Sequence, residues 1–382
     1  MAASPAPSGP GSSAKGTPVR WQMGGVINSR SRQQAAQTPS VPPTKFRQTG
    51  QAGGMTKSTI EARNCGRFIF VFLSTNAILH AMADNVPQIF DRKRLARNRG
   101  RAAQATRGFG AHDFLLRHIG NELTDRIAGV ARDFSTGLCL GSSGSIIEAV
   151  RAEQTKKGHI DTLFHADLSA YLVPNDGRGL VCDEERLPFA EARFDLVVAL
   201  WGLHHVNDLP GALIQIRQIL KPDGFFLAAL PGGRTLESLR HALVAAETEL
   251  LPGVRPHVHP FPDLADLSGL LQRAGFALPV ADSHPVEVFY PTPIDLLNDL
   301  QGMGESNVLT ARVSTTLRRD VLMRACEIYT EMEQRGDGKC RALFDICYLA
   351  GWAPHESQQQ PLKPGSAKAS LAEALGTVER KL

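Results

Sequence analysis

Three acids and a pair of histidines stand where short apolar runs of this 382-residue chain end. Asp167 closes the run from Asp161, Asp183 and Glu184 follow the run from Gly179, and Trp201 and His204-His205 follow the run from Phe194. Gly141 closes an earlier run from Thr136. An acid at the end of one strand can accept hydrogen bonds from two ribose hydroxyls, and an acid ending the next strand can accept one from an adenine amino group. A glycine there lets the backbone approach a ligand closely. Histidine, with an ordinary pKa near 6.5, makes His204 and His205 candidate bases beside such a ligand. The alternatives are structural: Asp167 and Asp183 as helix caps, the two histidines as a loop pair that shapes the pocket, and Asp195, at the start of its strand, as a purely structural acid.

No GxGxxG follows the first apolar run and no GxxxxGK[ST] occurs, which argues against nicotinamide and nucleoside-triphosphate chemistry. An adenosine cofactor without phosphate is S-adenosylmethionine. The residues expected to hold it are Gly141 and Ser143 of the first loop, Asp167, Asp183, Glu184 and Trp201. No metal is expected. The six cysteines are scattered without a CxxC pair, so neither a zinc site nor a disulfide framework is suggested, and a reducing compartment is the default. His257-x-His259 with Asp263 and Asp266 has metal-like spacing, because alternate residues of an extended segment share a face. Four prolines, Pro252, Pro256, Pro260 and Pro262, make that segment a loop instead, and no 2-His-1-carboxylate pattern stands out.

The elements that must position these residues alternate. Apolar runs at Thr136–Gly141, Asp161–Asp167, Gly179–Asp183, Phe194–Trp201 and Phe225–Leu230 read as strands. The continuous apolar run of the fourth suits burial on both faces. Helical spacing follows the first at Ile146–Glu153 and the fourth at Leu209–Leu220, and Lys221-Pro222-Asp223-Gly224 reads as a turn. Strand and helix alternating at this spacing imply a parallel, doubly wound α/β sheet, whose ligands sit at the carboxyl ends of the strands. Before the sheet, Phe114, Leu115, Ile119, Leu123, Ile127 and Val130 mark an amphipathic helix. After it come helical segments at Pro293–Leu300 and Ser314–Gln334 and a last strand within Ala342–Trp352. Arg234 and Arg255 can meet an acidic substrate or lie on the surface.

Charge divides the chain. Residues 1–83 hold nine Lys/Arg against one acid, whereas the whole carries only +4, so the remainder is acidic and a nucleic-acid partner is not implied. Residues 1–60 are rich in Ser, Gly, Pro, Thr and Gln and read as disordered. The apolar stretch Phe68–Leu79 before Ala81-Met82-Ala83 fits a secretory signal, an organelle transit segment or an overextended gene start with Met82 as first residue; the last is preferred. No apolar run reaches membrane-spanning length. Seven basic residues between Arg92 and Arg107, without an acid among them, read as a solvated helix face or as a flap for an acidic partner.

Val181-Cys182-Asp183-Glu184-Glu185-Arg186-Leu187-Pro188-Phe189, Phe194-Asp195-Leu196-Val197-Val198 and Leu220-Lys221-Pro222-Asp223-Gly224 resemble the ordered motifs of class I S-adenosylmethionine-dependent methyltransferases. Ile89-Phe90-Asp91-Arg92, Leu203-His204-His205-Val206-Asn207-Asp208-Leu209-Pro210, Gln301-Gly302-Met303-Gly304-Glu305-Ser306-Asn307 and Gly351-Trp352-Ala353-Pro354-His355-Glu356-Ser357-Gln358 resemble a narrower branch, the complex I assembly factors implicated as protein arginine hydroxylases. The malonyl-carrier-protein O-methyltransferases are more distantly similar. The resemblance implies a Rossmann-like, seven-stranded fold with a helical insertion before the last strand. It implies a cofactor pocket at Gly141, Asp167, Asp183 and Glu184, and a substrate side including the insertion, with Gln301, Gly304 and Asn307 as cap residues. It also implies a protein substrate, a complex I subunit, and membrane association no closer than that complex. The location is the cytoplasm of a bacterium or, in a eukaryote, the mitochondrial matrix. The pattern departs at the first motif. Cys139 replaces an acid, and Gly141-Ser142-Ser143-Gly144-Ser145 keeps one glycine in register, which predicts weaker cofactor binding. The expected domains are residues 1–83 as an extension, 84–130 as a basic leading segment and helix, 131–353 as the methyltransferase-like domain with its cap at 293–335, and 354–382 as a tail. Carboxyl O-methyl transfer and a non-catalytic assembly role are the other functions these residues allow.

Overall fold

The computed structural model describes residues 86–105, 112–141, 146–148, 160–313, 315–359 and 376–377. The expectations for residues 1–83, for Ser143 and for most of the tail lie outside them. Strands β1 (Phe134–Leu140), β2 (Ile160–Asp167), β3 (Gly179–Val181), β4 (Phe194–Leu200) and β5 (Leu220–Pro231) pair in parallel. Strand β7 (Cys340–Trp352) then pairs antiparallel with both β5 and β6 (Ala277–Tyr290). The order across the sheet is β3-β2-β1-β4-β5-β7-β6. The chain therefore reverses direction of growth between β1 and β4, the switch point at which open α/β sheets place their ligands.

Every residue of β4 is buried, as its unbroken Phe-Asp-Leu-Val-Val-Ala-Leu run requires in a strand covered on both faces. One apolar layer packs α2 (Phe114–Ala128) and α4 (Glu237–Leu250) onto the sheet through Leu115, Ile119, Leu123, Leu239 and Ala242. The opposite layer packs α3 (Leu209–Ile219) and α5 (Leu264–Arg273) through Leu213, Ile216, Leu267 and Leu271. The insertion between β6 and β7 supplies α6 (Pro293–Gly302) and α7 (Arg319–Glu333), and it joins the first layer through Leu296, Val321 and Tyr329. Asp195 accepts from Ser135 Oγ, Thr136 N and Lys221 Nζ at the amino ends of these strands, away from their carboxyl ends, and so does the structural work expected of it.

Three readings change. Lys221–Gly224 is not a turn before a strand: β5 runs through it, with the β4 pairing jumping from Leu220 to Phe225 and Asp223 at φ +61°. The long helix starts at Arg319 rather than Ser314. Strand β6 has no sequence expectation because Pro279 and Pro285 interrupt it. It is the sheet edge, where a residue without an N–H costs no ladder bond on the open side.

Candidate functional site

The carboxyl ends of β1, β2 and β4 form one floor. Gly141 holds φ +97°, and a Cβ there would stand 2.7 Å from Leu200 O, so only glycine allows β1 and β4 to meet at this point. Asp167 is 1% exposed at the end of β2. Its Oδ1 accepts from Ser169 N at 2.7 Å, and its Oδ2 has no hydrogen-bond partner. Asp183 and Glu184 follow β3; Glu184 is buried, while the Asp183 side chain is 31% exposed.

Over this floor lies α1 (Arg92–Gln104), capped by the Asp91 side chain on Arg94 N. The basic run does form a helix, but two of its arginines turn inward, which corrects the solvated-face expectation. Arg92 pairs with Asp183 at 2.7 Å and with Glu184, and donates to His205 O at 3.0 Å. Arg99, fully buried, stands 3.2 Å from Glu184 Oε1 and 3.5 Å from Asp167 Oδ2. Its Nε and Nη2 have no partners. Burial pushes the Asp167 carboxyl up to about 6, with Arg99 opposing the shift. Gly304, at φ +85°, allows the cap to touch α1, since a Cβ there would meet Arg99 Cα at 3.2 Å.

Beyond β4, Leu203–His205 is a single 3₁₀ turn, and both histidines are buried. His204 Nε2 lies 3.1 Å from Glu305 Oε2, which the cap delivers just after Gly304. His205 Nε2 lies 3.5 Å from the same oxygen and 3.0 Å from His259 Nδ1. The leading segment closes this corner. Phe90 packs edge-on against His205 and His259, and Asn207 ties Phe90 N and O to the loop after β4. Burial, reinforced by His204 and His259, holds His205 well below its ordinary pKa. Burial lowers His259 to about 4. Burial would raise Glu305, but His204, Arg99 and His259 outweigh it and keep the carboxyl anionic.

A cavity of about 230 Å³ opens beside this cluster, between β4, α4 and the cap. Its walls are mostly apolar, with Leu239, Leu297 and Leu300 among them, and Trp201, His204 and Glu305 form a polar edge. Gln301 and Asn307 line it as well, whereas Gly304 serves contact with α1.

The structure thus gathers Gly141, Asp167, Asp183 and Glu184 at the floor and Trp201, His204, Gln301 and Asn307 at the cavity. Cys139 lies inside β1, fully buried, with burial pushing its thiol up to about 12, so it is no substitute for the missing acid. Sequence reasoning missed Arg92, Arg99 and Glu305 as site residues, and it paired His259 with His257. The structure gives His257 to Glu247 at 2.8 Å instead. The Arg92–Arg107 run and the Gln301–Asn307 motif were the available signals.

The floor residues fit S-adenosylmethionine. A buried carboxylate with a free oxygen, Asp167, suits a ribose hydroxyl. A partly open one, Asp183, suits an adenine amino group. Arg99 Nε and Nη2, without hydrogen-bond partners among the described residues, suit the methionine carboxylate.

Residues 138–228 match the family model of a methyltransferase domain. The mitochondrial arginine-hydroxylase NDUFAF5 of Danio rerio is 40% identical over 291 residues, 75% of this chain and 89% of that protein. The Homo sapiens NDUFAF5 is 42% identical over 267 residues, 68% and 76% of the two chains. A malonyl-[acyl-carrier protein] O-methyltransferase of Laribacter hongkongensis is 27% identical over 263 residues, 66% and 82%.

Proposed function

The chain belongs to the family of the arginine-hydroxylase NDUFAF5 proteins, within the S-adenosylmethionine-dependent methyltransferase superfamily, and from that premise we propose that it hydroxylates an arginine side chain of a complex I subunit. The observation that carries this reading is the meeting of His204 and Glu305 at 3.1 Å on the edge of a mostly apolar cavity. A cavity of about 230 Å³ admits one long side chain rather than a folded surface. An anionic Glu305 with a free Oε1 draws a guanidinium into it, because a charge-assisted pair in a dry site is strong. The apolar walls hold the alkyl stem and exclude water.

S-adenosylmethionine is the cofactor, held by Asp167, Asp183, Arg99 and the backbone at Gly141; when bound it supplies a sulfonium charge and a transferable methyl group. Hydroxylation converts a C–H bond to C–OH. With dioxygen as oxidant, the second oxygen atom leaves as water, and an external donor supplies two electrons and two protons. With no ion bound there, His204, held by Glu305, is the group placed to move a proton at the cavity edge.

One observation favours a second reading, an assembly factor without catalysis: Arg92 and Arg99 already pair with the acids that the cofactor needs. Mass spectrometry of complex I subunits from cells lacking this protein separates the readings. The hydroxylase reading expects one arginine to lose an oxygen atom. Loss of a methylene mass instead would make the protein a methyltransferase, and unchanged subunits with failed assembly would leave only the non-catalytic role.

A further inference from the structure

We propose that His204, His205 and Glu305 form a binding site for one first-row divalent transition metal ion, iron(II) being the ion this donor set suits. The three side chains bring donor atoms within 4.8 Å of one another. Glu305 Oε2 is 3.1 Å from His204 Nε2 and 3.5 Å from His205 Nε2. Such ions bind imidazole nitrogen and carboxylate oxygen at about 2.0–2.2 Å, so adjacent ligand atoms stand about 2.9 Å apart at right angles and about 3.4 Å apart at a tetrahedral angle. The two separations from Glu305 Oε2 already have the spacing of adjacent ligands around one ion.

The chemistry of the donors agrees. Two imidazoles and one carboxylate are the facial triad that leaves other coordination positions open on non-haem iron(II). The cluster is also under-satisfied as it stands. His204 Nδ1, His205 Nδ1 and Glu305 Oε1 are buried without hydrogen-bond partners among the described residues, although buried polar groups are normally paired. His204 and Glu305 edge the cavity, so an ion held by them would face whatever enters it.

His259 is a neighbour of this site and not a ligand. Its Nε2 accepts the Val308 amide at 3.2 Å, so its proton sits on Nδ1, which donates to His205 Nε2 at 3.0 Å. That bond competes with an ion for the same nitrogen. Metal entry turns the His259 N–H away, and removing it should not weaken binding.

The link from this site to hydroxylation rests on the function proposed above; the binding of an ion does not. The test titrates the full, chelator-stripped chain with cobalt(II), read as a visible d–d band, and with iron(II) under anaerobic conditions, read as metal retained after desalting. One ion per chain is expected. Glu305→Gln, which keeps size and hydrogen bonding, and His204→Ala should each weaken binding by at least about tenfold, with circular dichroism confirming the fold. His259→Phe should bind as well as wild type or more tightly. No stoichiometric metal, wild-type binding in both ligand variants, or loss of metal in His259→Phe would overturn the three-ligand site. Metal bound without arginine hydroxylation keeps the site and removes the function; hydroxylation that persists in a chain shown to hold no ion does the reverse.

Discussion

Asp167 shows how one buried side chain carries both ligand binding and pH dependence. Its carboxyl is 1% exposed and raised from 3.8 to about 6, first by burial, with Arg99 opposing. A raised acid binds its proton more tightly in the folded chain than in the unfolded one. Its contribution to stability is therefore fully present below about pH 4 and is lost as pH rises through about 6, by on the order of 3 kcal/mol. Asp167→Asn should flatten that part of the profile, because asparagine can still accept from Ser169 N but does not titrate. Urea midpoints measured between pH 4 and pH 7 decide this: equal slopes for the variant and wild type in that window would show that Asp167 is not the group responsible. The same residue could be picked from sequence as the acid ending a strand. Its partner Arg99 could not, since a buried guanidinium and a solvated one look alike in a run of seven basic residues.

Among the elements, the cap depends on helix α6 starting at one place. Thr292 and Asp295 form a reciprocal capping box, the threonine hydroxyl accepting from Asp295 N and the aspartate from Thr292 N. Pro293 occupies the first turn, where its missing N–H costs nothing. Thr292→Ala should cost about 1 kcal/mol of stability. It should also raise the KM for a protein substrate more than it lowers kcat, because α6 carries Leu297, Leu300 and Gln301 into the cavity wall. A loss confined to kcat would place the cap nearer the chemistry than the wall. Elements such as β1, β2 and β4 were legible because their apolar runs are short, those of β1 and β2 ending at a glycine or an acid and that of β4 unbroken. Strand β6 was not, since two prolines and an exposed edge erase the alternation that marks a strand. The His204–Glu305 contact joins residues 101 apart, from a 3₁₀ turn and a cap loop, and no local period records it.

At the scale of the molecule, helix α1 is the common neighbour of both halves of the site. Arg92 and Arg99 reach the acids after β2 and β3. From the same helix, Asn98 donates to Ser306 O and Arg94 to Asn307 O, the two residues that follow Glu305. A ligand that engages Asp167 and Arg99 therefore acts on an element whose other contacts hold the cap, and local opening of the two should be coupled. Binding to the folded chain alone adds about 2.7 kcal/mol at a hundredfold excess over Kd, so S-adenosylmethionine should raise Tm with the logarithm of its concentration. Hydrogen exchange should then slow together in residues 92–104 and 303–309, while α5, on the opposite face, stays unchanged. Arg99→Leu should abolish the coupling and, by leaving Asp167 buried without its guanidinium, cost about 3–5 kcal/mol. Protection that appears at the ends of β2 and β3 but leaves residues 303–309 as fast as before would show that α1 closes the cofactor floor without reaching the cap.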